Sequence, residues 1–342
     1  MTIGEIWWSR LVNSVRFIDN VINTLAEEKS VIMNFQGNVP WLDDMLYFLE
    51  QKLVFMTETR SFETHDASEI RTTPGKYLFE RFCSEEERKK YWPSRDKCYE
   101  RFLATNNNTP LNRRIICITN INSSNITSWL KTITEYLENR NSEERGIFIL
   151  VVQKVNTYES KLMGNILYSD YVTDYDCLML CLTILSSEKG SSLQKQYVSE
   201  IADNIAEGDV ETAGILATAG IKLAKSPLET ANEILQENNI HIPNLQYQVT
   251  TAVWKAQIKL VFQCIEDFRS EIIQKYQVKL QKSLHNNKVT EIEIGQLFFI
   301  CAKGKIISKS EFDLLSRMRD ARNCLAHRNT LTYDDLIKLK IL

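Results

Sequence analysis

Apolar residues recur along this chain in two rhythms, and the rhythms divide it. From residue 5 to 28, Ile6, Leu11, Val15, Ile18, Val21, Ile22 and Leu25 fall at helical intervals. Ser30-Val-Ile-Met-Asn-Phe35 then reads as a short buried strand, running into Gly37 and Pro40. A helix is predicted from Trp41 to Lys52, with Asp43 and Asp44 in its first turn, and Leu53-Val-Phe-Met56 is a candidate second strand. Arg114 to Thr119 and Gly146 to Val152 are apolar strands around a helix at 124–138. Ile166 to Val172 is one more candidate, opening into a helix from Tyr175 to Leu185. Strands alternating with helices predict a parallel sheet. A polar insertion at 57–112 interrupts this order. Within it Pro74 to Lys90 and Ser94 to Ala104 look helical, whereas Arg60 to Thr73 has no helical period and reads as loop.

Past residue 190 only the helical rhythm remains. Short helices fill 191–238, broken at Glu207-Gly208-Asp209 and Lys225-Ser226-Pro227, and Asn238 to Pro243 reads as a linker. A long helix is predicted from Leu245 to Leu284, then a helix over 290–302 and a closing helix from Tyr333 to Ile341. Between them Ser310 with Asp313 resembles a capping box. Phe312, Leu314, Leu315, Met318, Ala321 and Leu325 then recur at helical spacing. The predicted fold class is α/β plus all-α. Its parts are an α/β domain over 1–160, with the insertion at 57–112, a helical region over 161–240 and a helical bundle over 245–342.

Composition narrows the function. A chain of 342 residues with 44% hydrophobic and 25% charged residues suits a globular protein of two or three domains. Only 11 Gly and 6 Pro agree with a helix-rich chain. No stretch has the length of apolar sequence that a membrane span needs, and the first residues lack the basic start and apolar core of a signal peptide. A cytoplasmic protein is expected. The 8 cysteines form no C-x-x-C pair. Cys177 and Cys181, four apart on a predicted helix, have no matching ligands, so core thiols are expected and a metal is not. His241 has no paired residue nearby and reads as structural. The net charge of −3 excludes a chain-wide nucleic-acid footprint. From Cys301 to Leu342, however, nine Lys or Arg face five Asp or Glu, a modest basic patch that suits an RNA backbone.

The candidate chemistry lies in that tail, at Arg322-Asn323-Cys324-Leu325-Ala326-His327. On a helix turning about 100° per residue, Leu315, Met318, Arg322 and Leu325 share one stripe, so Arg322 holds an apolar place. RNA carries its own nucleophile, the 2′-hydroxyl beside the scissile phosphate. Its cleavage needs an acid or base near neutral pKa, which His327 supplies. It also needs a permanent cation for the developing charge, which Arg322 supplies. Asn323 can orient either group, and Arg317, Arg319 and Arg328 are the candidate RNA-binding residues. No metal or other cofactor is required. A plainer role is open to the same residues: Arg322 pairing with Asp320 or Glu311, and His327 capping helix carbonyls. Arg60 and His65 repeat the spacing, but in the stretch read as loop.

The R-N-x-x-A-H motif at a helix end resembles the HEPN superfamily, in which many domains are metal-independent ribonucleases. The resemblance covers about the last 100 residues. It implies a homodimer through the C-terminal domain, with two motifs in one composite cleft, and RNA as substrate. It also implies an effector of prokaryotic antiviral defence or toxin systems. Residues five apart on a helix diverge by about 140°, which agrees with a need for two motifs. Some HEPN domains carry a Tyr two residues after the His; here Asn329 stands there. The N-terminal order of elements resembles an AAA/STAND-type P-loop domain, with residues 161–240 as its helical lid. Its nucleotide chemistry is missing. Gln36-Gly37-Asn38-Val39-Pro40 has one Gly and no Lys, Ser or Thr, against the G-x-x-x-x-G-K-S/T that a phosphate site needs. The strand at 114–119 ends in Thr119-Asn120 rather than in acids. The alternative to a nuclease is therefore a silent scaffold subunit that binds a partner ATPase or nuclease, a protein that could be encoded alongside.

Overall fold

The computed structural model of the chain describes all residues except 57–59, 107–109, 142, 154–157, 159 and 285–288. The chain forms two compact units, Met1–Asp176 and Cys177–Leu342.

The first unit is a five-stranded sheet in the order β2-β3-β4-β1-β5. Its strands are β1 (Ser30–Asn34), β2 (Ser61–Asp66), β3 (Arg114–Ile121), β4 (Ile147–Val152) and β5 (Met163–Leu167), and every pairing is parallel. Its helices are α1 (Ile3–Arg10), α2 (Val12–Ala26), α3 (Leu42–Met56), α4 (Pro74–Phe82), α5 (Glu85–Lys90), α6 (Pro93–Asp96), α7 (Tyr99–Thr105) and α8 (Ile126–Asn139). α9 (Asp174–Leu185) leads into the second unit. β1 and β4 are buried at every residue, as strands covered on both faces must be, and this is why they are continuous apolar runs. On one face Ile116, Ile118, Phe148 and Leu150 pack with Trp129, Ile133 and Tyr136 of α8.

Two expectations for this unit are corrected. Leu53 to Met56 is the last turn of α3, not a strand. Met45, Leu49 and Leu53, four residues apart, form the buried stripe of that helix. Ser61 to Asp66, read as loop, is the edge strand β2, paired with β3 from Ser61↔Arg114 to Asp66↔Thr119. Arg60 and His65 are tied down there. Arg60 pairs with Glu28 at 2.7 Å and donates to the carbonyl of Arg145 at 2.6 Å. His65 is buried, with Nδ1 2.8 Å from the Tyr77 hydroxyl. Desolvation lowers its pKa, against the pull of the nearby Glu63 carboxylate. Smaller differences are breaks. The helix expected over 5–28 splits at Leu11, whose extended backbone (ψ 120°) ends α1. The last strand begins at Met163, earlier than the Ile166 expected, and so falls past residue 160 but inside the first unit.

The second unit is helical: α10 (Ser192–Ala206), α11 (Val210–Ala217), α12 (Ile221–Lys225), α13 (Pro227–Glu237), α14 (Leu245–Lys275), α15 (Gln277–Ser283), α16 (Ile294–Gly304), α17 (Lys309–Ala326) and α18 (Tyr333–Lys338). One core joins Tyr197, Ile201 and Leu216 to Val253, Leu260, Leu297, Leu315, Leu325 and Leu336. Ile240 and Ile242, in the stretch read as linker, pack against the same core. At 31 residues α14 is about 46 Å long and forms the spine of the unit. Among the described residues no helix is long and apolar enough to cross a membrane.

Candidate functional site

The candidate motif occupies the C-terminal end of α17. That helix starts two residues earlier than the spacing suggested. Ser308, not Ser310, is the cap, with Glu311 completing the box. Glu311 also accepts from Lys275 Nζ at 2.6 Å and from the Tyr276 hydroxyl at 2.7 Å. With Lys275 foremost, these partners hold its carboxyl down at about 2. Leu315, Met318, Ala321 and Leu325 are buried along the helix. Phe298 of α16 stacks on Phe312 at 5.0 Å and supports this face.

Arg322 is half-buried in this stripe, yet it forms no hydrogen bond or ion pair with any described residue. Asp320 and Glu311, the acids that the sequence offered as its partners, are engaged elsewhere. Asp320 accepts two bonds from Arg319, at 3.0 and 2.6 Å, and Glu311 is held by Lys275 and Tyr276. A guanidinium so placed keeps its full donor fork for an incoming anion. Asn323 and His327 are exposed, and neither side chain has a partner among the described residues.

The turn after His327 is built closely. His327 is the C-cap, and Arg328 takes a positive φ of 60°. The Arg328 amide donates to the Leu325 carbonyl at 3.1 Å and the Asn329 amide to the Cys324 carbonyl at 3.1 Å. These are the two bonds of a Schellman ending, with Arg where Gly is usual. Two residues of α14 hold the ending from outside. Trp254 Nε1 donates to the Leu325 carbonyl at 2.9 Å, and the Arg328 guanidinium lies over the same indole at 5.4 Å. Gln257 is fully buried. Its Nε2 donates to the Leu331 carbonyl at 2.9 Å and to the Tyr197 hydroxyl at 2.8 Å, and its Oε1 accepts from the Leu331 amide at 2.8 Å. Trp254 and Gln257 escaped sequence reading, because nothing local ties a position in the middle of one helix to the end of another.

The candidate residues are not all brought together. His327 follows directly on the helix, so it and Arg322 point about 140° apart and cannot close on one phosphate within one chain. Arg319 is committed elsewhere, paired with Asp320 and lying 3.8 Å over the Phe298 ring. Arg317 is on the α18 side, lining a cavity of about 320 Å³ with Asp320, Asp335 and Lys338. Arg328 lies beside His327 but is stacked on Trp254.

A second candidate for chemistry is the carboxyl end of β1, since open parallel sheets bind ligands outside the carboxyl ends of their strands. Here it is filled by the chain itself. Trp7, Trp8, Phe17 and Phe35 are buried there, with Phe35 4.8 Å from the Tyr168 ring and 5.5 Å from Phe17. Trp8 Nε1 donates to the Pro40 carbonyl at 2.9 Å. Two amides of the β1–α3 loop face inward, from Phe35 to the Val152 carbonyl at 2.8 Å and from Gly37 to the Gln153 carbonyl at 3.1 Å. α1 lies so close to the start of α3 that a Cβ at Gly4 would come within 2.6 Å of the Trp41 side chain. Asp44, in the first turn of α3, has its pKa raised by burial and by the neighbouring Glu5. Loop and helix start therefore present carboxyls and spent amides where a phosphate site needs free amides. At the end of β3, Asn120 donates to Asp66 at 2.7 Å and accepts from Gln153 at 3.2 Å, a closed polar chain. Among the described residues, no group of three His, Cys, Asp or Glu could hold a metal.

Comparison of the chain with protein-family models and with curated proteins returns no match.

Proposed function

We propose that this chain is a metal-independent endoribonuclease of the HEPN type, with its site at Arg322, Asn323 and His327. The observation that carries the reading is Arg322: a half-buried guanidinium in an apolar stripe, with no hydrogen bond or ion pair to any described residue. Arg322 binds the scissile phosphate and stabilises its developing charge. His327 moves the proton of the 2′-hydroxyl or of the leaving oxygen. Asn323 orients one of them. Because Arg322 and His327 diverge, a second copy of the chain supplies the complementary motif, and the working form is a homodimer through the C-terminal unit. Arg317 and Arg328 flank the path of the RNA. The N-terminal unit senses or scaffolds rather than hydrolysing nucleotide, and the setting is a cytoplasmic antiviral or toxin effector.

The test is cleavage of total and single-stranded RNA by purified protein in EDTA, with His327→Ala as control. Wild-type cutting that the variant lacks supports the assignment. Equal cutting by both proteins removes it.

The filled crevice at β1 favours a second reading, a silent scaffold that binds a partner ATPase or nuclease. A sheet domain that keeps its frame but fills its ligand crevice is free to serve as a binding surface. On that reading neither protein cuts RNA at any concentration.

A further inference from the structure

Strand β2 leaves half of its backbone unused. The Ser61 amide donates to the Arg113 carbonyl at 2.9 Å, and the Ala67 amide to the Thr119 carbonyl at 3.0 Å. By the two-residue repeat of a strand, Glu63 and His65 face β3 in the same way. The amides of Phe62 and Thr64 therefore point to the open edge, and no described residue accepts from them. Open edges invite further strands, and proteins usually blunt them.

This edge has a groove beside it. Phe62 and Thr64 send their side chains to the α3 side, where they line a cavity of about 390 Å³ with Asp43, Leu46, Tyr47 and Glu50. Asp43, Tyr47, Glu50 and Val54 are all exposed and recur at helical spacing along one face of α3. Tyr47 and Val54, two turns apart on that face, are 53% and 60% exposed. Neither Asp43 nor Glu50 has an ion-pair partner among the described residues. The opposite face of β2 is occupied: Glu63 pairs with Arg114, and His65 packs on Tyr77.

We propose that the β2 edge and the α3 face form a docking site for an extended, basic segment of a partner protein. The segment adds as a sixth strand. Its carbonyls accept from the Phe62 and Thr64 amides. Alternate side chains, Lys or Arg, enter the groove and meet Asp43 and Glu50, with their stems on Tyr47 and Leu46. Charge selects a basic partner, and the main chain supplies sequence-independent affinity. This site is independent of the ribonuclease reading and stands or falls apart from it.

The experiment uses the full chain and a fluorescein-labelled peptide, Thr-Lys-Val-Lys-Val-Lys-Thr, followed by anisotropy. Three comparison probes are the same peptide with Glu for Lys, a version N-methylated on alternate residues, and the double variant Asp43→Asn, Glu50→Gln. Binding is expected for the parent peptide and is expected to be absent for the Glu peptide. It should weaken about tenfold or more on N-methylation and in the double variant, roughly the 1.4 kcal/mol of one decade. Amide exchange at Phe62 and Thr64 should slow on binding, while Ser61 and Ala67, already bonded, stay unchanged. Absence of parent binding at millimolar peptide overturns the proposal. So does equal binding of the N-methylated peptide, which means charge alone. So does protection that appears elsewhere than β2.

Discussion

The carboxyl end of β1 and the carboxyl end of α17 invite the same question and answer it in opposite ways. At β1, indole, amide and carbonyl groups satisfy one another, from Trp8 on Pro40 to Gly37 on Gln153. At α17, the surrounding groups are equally well satisfied, by Trp254 and Gln257, but Arg322 is left out of the network. On the proposed reading, the α17 end keeps a polar group that its surroundings leave unpaired, whereas the β1 end is filled by its own side chains. The difference separates the two ends more sharply than burial or net charge does.

The largest expected effect comes from closing the open end. Arg322→Leu completes the apolar stripe of Leu315, Met318 and Leu325. RNA cleavage should fall by about 10²–10⁴, the usual size for a charge-stabilising or acid–base group, while the Tm holds or rises. A variant that cuts normally would remove Arg322 from the site, and one that loses several kcal/mol of stability would show Arg322 to be structural.

Next is the scaffold behind that end. Gln257→Leu strands the Leu331 amide and carbonyl and the Tyr197 hydroxyl. A loss of about 3 kcal/mol is expected in urea unfolding, from buried groups left without partners. A loss under about 1 kcal/mol would show the turn to be held mainly by packing.

The pH dependence of α17 gives a smaller effect. The Glu311 carboxyl is depressed to about 2 in the folded chain. A depressed acid stabilises fully above its unfolded pKa, and that contribution is lost as pH falls toward the folded value. Glu311→Gln keeps the cap but removes the charge. Its Tm deficit against wild type should be constant near neutral pH and shrink as pH drops from about 4.5 toward 2. A deficit independent of pH would remove the charge from the account.

Arg328→Gly should change stability least. It relieves the positive φ of 60°, worth about 1 kcal/mol, and loses the stacking on Trp254, worth about 0.5–1 kcal/mol. A shift beyond about 1 kcal/mol either way would show one term dominating. At the filled end, millimolar Mg-ATP should leave the Tm unchanged, because a ligand that does not bind the folded state cannot stabilise it. A clear rise would reopen the β1 crevice as a site.

Legibility in the sequence followed burial. β1, β3 and β4 read directly as apolar runs, since strands covered on both faces have no polar side to show. β2 did not. Ser61-Phe-Glu-Thr-His-Asp66 lies on an edge, half in water, and its polar residues are bonded only through the fold. Leu53 to Met56 misled because four apolar residues fit the end of a helix as well as a strand. At α17 the helix, its stripe and the motif were visible, but the cap was misplaced because Ser308 and Ser310 both offer a hydroxyl before an acid.

The sequence by itself determined the buried strands β1, β3 and β4, the helical character of the second unit, the apolar stripe with Arg322 inside it, and the lack of phosphate-binding residues after β1. These follow from local periodicity and side-chain chemistry, which need no knowledge of what lies across the fold. Only the tertiary structure decided which acids are already taken, which carbonyls Trp254 and Gln257 secure, and which amides of β2 stay open. Those are questions of partnership between residues far apart in the chain. A guanidinium, an indole or an amide has the same intrinsic appetite for a partner wherever it stands in a sequence. Whether that appetite is met depends on distances of about 3 Å that folding alone sets.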